Sequence, residues 1–107
     1  MTNLQQLREK LGKGLYVDNL YEMARLCRSL ALDTSSPAPF FVMEKVFLDI
    51  AKNWEDRPLT VEEAKGVESK MMRPLLELIG AIEWNASSGE TFAILNGVVS
   101  AYLTSIT

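Results

Sequence analysis

Adjacent carboxylates at Glu62 and Glu63 have the residue types for general acid and base work, and Glu68, Glu77 and Glu83 follow on the same stretch. Glu62 and Glu63, however, fall in the first turn of a helix, where acidic side chains offset the positive end of the macrodipole. The later glutamates form no Glu-x-x-His pattern, because the chain has no histidine at all. His-based triads and most zinc sites are thereby excluded within this chain, and the di-iron site of helical bundles lacks its usual Glu-x-x-His ligands. No acid-rich loop has EF-hand spacing.

Three other features invite a chemical reading. Cys27 could act as a nucleophile, but it lies between Ala24 and Ala31 on an apolar stripe, where a thiol is structural. Gly12-Lys13-Gly14 has neither the spacing nor the preceding strand of a phosphate loop and is read as a helix break. Arg8, Lys10, Lys13, Arg25 and Arg28 form the densest basic region. Glu9, Asp18 and Glu22 are interspersed with them, which makes this a solvated face. With 14 acidic and 11 basic residues and a net charge of −3, the chain lacks the excess of Lys and Arg that nucleic-acid binding requires. No metal or cofactor site is expected, and no arrangement of Asp, Glu, Lys or Tyr marks an enzyme.

Elements able to position side chains are helical throughout. At 107 residues, 48% hydrophobic and 23% charged, the chain has the size and composition of one globular domain, read as spanning residues 1–107. Leu4, Leu7 and Leu11 share one face of a short first helix that ends at Gly12 and Gly14. Val17, Leu20, Ala24, Cys27 and Ala31, widened by Met23 and Leu30, mark a second helix from Tyr16 to about Asp33, where DTSSPAP breaks it. A third begins at or just before Pro39, with a serine available as N-cap. It carries Phe40, Met43, Val46, Phe47, Ile50 and Trp54 inward, with Lys45–Asp49 and Lys52–Asp56 pairs outside, and stops at Pro58. Thr60 and Glu63 have capping-box spacing at the start of a fourth helix, whose stripe is Ala64, Val67, Met71, Leu75, Leu78 and Ile82. Pro74 interrupts that stripe and predicts a kink or a break near Arg73. Ser87 and Glu90 repeat the capping spacing before a fifth helix. The expected fold is all-α, a compact bundle of about five helices.

The fifth helix lies in a run without charge, TFAILNGVVSAYLTSIT, from Thr91 to Thr107. It is shorter than the roughly 20 apolar residues a membrane span needs, and it contains Asn96, Ser100, Thr104 and Ser105. At 100° per residue, Phe92, Leu95, Val98, Val99, Tyr102, Leu103 and Ile106 fall on one arc, expected to face the core. Ala93, Asn96, Gly97, Ser100, Ala101, Thr104 and Ser105 occupy the other. That second face could meet a neighbouring helix of the same chain, be covered by a partner, or rest weakly on a membrane surface; the last lacks the usual basic residues.

These observations predict a non-enzymatic helical protein–protein interaction module, acting as a homodimer or as an adaptor or regulatory subunit. Its candidate interface is Trp84, Ala93, Asn96, Gly97, Ser100, Ala101 and Thr104. The competing expectation is a small-molecule sensor or carrier with a pocket formed by Tyr16, Tyr21, Phe40, Phe41 and Trp54. A nucleic-acid-binding role for the basic region ranks last. One cysteine and a polar start, TNLQQLREKLGKG, without an apolar signal segment, predict a cytoplasmic protein.

Overall fold

The computed structural model describes residues 2–106. Five helices account for its regular structure: α1 (Asn3–Gly12), α2 (Val17–Leu32), α3 (Ala38–Asp56), α4 (Val61–Glu83) and α5 (Ser88–Ile106). Among the described residues there is no strand, and the expected all-α fold of five helices is the one that forms. The helices fall into two compact units, Met1–Thr60 and Val61–Thr107.

In the first unit α1 packs on α2 and α2 on α3. α1 starts with a capping box of its own, in addition to the spacings expected at α4 and α5. The Gln5 amide donates to Thr2 Oγ1 (3.1 Å), and the Thr2 amide donates to Gln5 Oε1 (2.8 Å). The α1–α2 corner is closed by Asn19, whose Nδ2 donates to the carbonyls of Lys10 and Gly14, both at 2.7 Å. Gly14 is buried there with φ 105°, a conformation that needs the missing Cβ.

Two side-chain links fix the sense of the α2–α3 pair. The Tyr21 hydroxyl donates to Glu55 and Arg28 to Glu44, so residue numbers rise along one helix as they fall along the other. The pair is antiparallel. Its interior holds Leu20, Met23, Ala24 and Cys27 from α2 with Phe40, Met43, Val46, Phe47 and Ile50 from α3. Trp54, expected inside, is half-buried near the end of α3. The position preceding α3 is Pro37 rather than a capping serine, and no side chain caps that end.

The second unit is the α4–α5 hairpin. Helix α4 begins directly after Thr60 and runs without interruption through Pro74, so the helix does not break there. Pro74 removes the amide that would have bonded the Lys70 carbonyl, and Lys70 is exposed, so water can take that amide's place as partner. The buried stripe is Met71, Leu75, Leu78 and Ile79; Ala64, Val67 and Ile82 are half-buried. α4 ends in a Schellman arrangement. The Ala86 amide donates to the Ala81 carbonyl (2.9 Å) and the Asn85 amide to the Ile82 carbonyl (3.2 Å), with Asn85 at φ 54°. Ser87 then caps α5 by accepting from the Glu90 amide at 3.2 Å.

Candidate interaction surface

Within its unit α5 has one neighbouring helix, α4, and this decides which of its residues are covered. Leu95 and Val98 are buried. Thr91, Ile94, Val99, Ala101, Tyr102 and Ser105 are half-buried around them. The remaining arc points outward: Ala93, Asn96, Gly97, Ser100 and Thr104, flanked by Phe92 at 63% and Leu103 at 52% exposure. Phe92 and Leu103 therefore do not lie in the core, as the helical wheel implied. One packed neighbour covers a narrower arc than a surrounding bundle would, and the two largest residues at its edge stay outside.

Between Thr91 and Ser105 the outward arc carries no charge. The Thr104 hydroxyl on this arc, and that of the half-buried Ser105 beside it, turn back onto the helix. Thr104 Oγ1 donates to the Ser100 carbonyl (2.8 Å) and Ser105 Oγ to the Ala101 carbonyl (2.7 Å). The arc offers a neighbour methyl groups, backbone and two large apolar side chains, together with the exposed side chains of Asn96 and Ser100. A Cβ placed on Gly97 would meet no atom within 4 Å, so no close approach among the described residues explains the glycine. Trp84, the last residue before the left-handed Asn85, is 86% exposed and stands at the turn end of the same hairpin.

The aromatics expected to form a pocket are divided between the two ends of the α2–α3 pair. Phe40 is buried and Phe41 is half outside, with Lys45 Nζ 5.3 Å above its ring. Trp54 lies 14 residues beyond Phe40 along α3, about 21 Å at the α-helical rise. Tyr21 is at that far end, bonded to Glu55, and Tyr16 is exposed just before α2.

Several ionisable groups are buried or tied to neighbouring side chains. Burial pushes the Cys27 thiol up to about 12, with the nearby Glu44 carboxylate adding to the effect, so the thiol stays protonated. Glu44 is itself buried and receives Arg28. Of the basic region, Arg28 is thus tied to Glu44, and Lys10 pairs with Glu22, whose carboxyl is held below its usual range chiefly by that hydrogen bond. The Tyr21 hydroxyl is raised, first by its bond to Glu55.

Asn19 and Glu44 are structural residues that the sequence pattern did not single out. A signal existed for both. Glu44 follows Phe40 by four residues, and Asn19 precedes Met23 by four, so each lies on an apolar stripe. Among the described residues no group of three or more acidic, Cys or His side chains is placed to hold a metal, and no helix is long and apolar enough to cross a membrane. Comparison with protein-family models, with curated proteins and with solved structures finds no match for this chain.

Proposed function

We propose that this chain is a non-enzymatic helical interaction module of the cytoplasm that associates with a second copy of itself through the outward face of α5. The observation that carries the reading is the combination on that face. It is uncharged from Ala93 to Thr104, yet exposed, with Phe92 and Leu103 at its edge and Trp84 at the end of the hairpin. Depletion of charge with aromatic residues present is the composition of interface cores, and large exposed aromatics are the usual anchors. A chain of net charge −3 repels its copy through most of its surface, and this face adds nothing to that repulsion. A single buried cysteine suits a reducing compartment.

Size-exclusion chromatography with light scattering tests the proposal. A concentration-dependent dimer is expected in the micromolar range, and Gly97→Glu should abolish it by placing an unpaired charge in the contact. A monomer at high micromolar concentration, unchanged by Gly97→Glu, would sink the reading.

A further inference from the structure

Asn96 and Gly97 are neighbours in the middle of α5, and both side-chain positions face outward. Neither residue favours a helix interior, glycine being about 1 kcal/mol worse than alanine. Of the five asparagines, Asn3, Asn19, Asn53 and Asn85 precede Leu4, Leu20, Trp54 and Ala86; Asn96 alone precedes a glycine. With no Cβ on residue 97, the Gly97 backbone nitrogen is the least hindered nucleophile beside any asparagine of this chain.

We propose that Asn96–Gly97 is a conformation-gated modification site, closed while α5 is helical and deamidated when α5 opens. In the open chain the Gly97 nitrogen attacks Asn96 Cγ. A C–N bond forms, the Asn96 side-chain nitrogen leaves as ammonia carrying the proton from Gly97, and a five-membered succinimide results. Water then opens either carbonyl to give aspartate or isoaspartate, with one new carboxylate and no change of oxidation state.

The helix opposes the first step twice. Its ladder commits the Gly97 N–H to the carbonyl of Ala93. Ring closure also needs Asn96 Cβ and the Gly97 nitrogen nearly eclipsed about the Cα–C bond, which a helical ψ of about −42° does not permit. Because α5 has a single neighbouring helix in its unit, opening by local unfolding is the gate. The consequence for association rests on the function proposed above: the new carboxylate would stand in the middle of the uncharged face.

Native protein and urea-unfolded protein are held at mildly alkaline pH, and conversion at each asparagine is followed by peptide mass spectrometry. The unfolded chain should convert Asn96 faster than Asn3, Asn19, Asn53 and Asn85. The native protein should convert it at least about tenfold more slowly, a factor equivalent to about 1.4 kcal/mol of opening. Gly97→Ala should slow conversion in the unfolded chain. Equal native and unfolded rates, an Asn96 no faster than the other asparagines when unfolded, or no effect of Gly97→Ala would each overturn the site. Asn96→Asp, assayed by light scattering, should dissociate the dimer. If it does not while the rates behave as stated, the gate stands and the interface reading fails.

Discussion

Arg28 reaches across from α2 to α3 and sets its Nε 2.9 Å and 3.1 Å from the two oxygens of Glu44. The partners differ in environment: the carboxylate is 7% exposed and the arginine side chain 56%. The ion pair therefore neutralises a charge that α3 has already taken out of water.

Removing the arginine should harm the fold more than removing both charges. Breaking a fully buried pair costs about 3–5 kcal/mol, and the exposure of Arg28 lowers this to roughly 1–3 kcal/mol for Arg28→Met. The double variant Arg28→Met with Glu44→Leu should recover most of the loss. Urea unfolding of the four members of the cycle measures the coupling. Additive costs would show that the pair contributes nothing.

Cys27 makes stability depend on alkaline pH. Its thiol titrates near an ordinary 9.0 when unfolded and about 12 when folded. The unfolded chain therefore loses its proton first. The stabilisation is complete below pH 9 and is lost as pH rises through the interval up to about 12. Denaturant midpoints should fall over that range, less steeply in Cys27→Ala. At neutral pH a thiol-reactive disulfide should label native Cys27 only as fast as the α2–α3 pair opens.

Asn19 and Gly14 close the α1–α2 corner together. Asn19→Ala takes its donor from the Gly14 carbonyl and one of two from the Lys10 carbonyl, which keeps the Lys13 amide at 3.0 Å, and should cost about 1–3 kcal/mol. Gly14→Ala forces a side chain into φ 105° and should cost about 1–3 kcal/mol. Thermal unfolding of both variants and of the pair should show less than additive losses, because the same turn is damaged twice.

Pro74→Ala should stabilise the α4–α5 hairpin. Alanine restores the amide facing the Lys70 carbonyl in a helix that is already continuous, and proline in a helix interior costs about 3 kcal/mol. Part of that gain is offset by the greater freedom of the unfolded chain. A rise in melting temperature is expected. A fall would mean that the pyrrolidine ring itself packs where alanine cannot.

The rotation of α5 predicts a contrast between two apolar residues. Val98 is fully buried and Val98→Ala should cost about 1–2 kcal/mol. Phe92→Ser changes a mostly exposed side chain and should stay within about 0.5 kcal/mol when measured on the monomer at low concentration. At high concentration the same substitution should weaken association.

Periodicity and punctuation alone determine that this chain is helical and where its helices run. The Gly12–Gly14 break, the DTSSPAP loop, Pro58 and the NASSGE turn all mark real ends, because local backbone chemistry acts over a few residues and needs no knowledge of the rest. The inward stripes of α2 and α3 are legible for the same reason. Tertiary structure decided the remainder. Whether the polar residues Asn19 and Glu44 on those stripes are inside depended on carbonyls and an arginine supplied by other elements. Whether Phe92 and Leu103 face a core depended on how many helices cover α5, which a wheel drawn on one helix does not contain. The uncharged run was visible from the start; its outward direction is set by a partner helix that leaves most of one side uncovered.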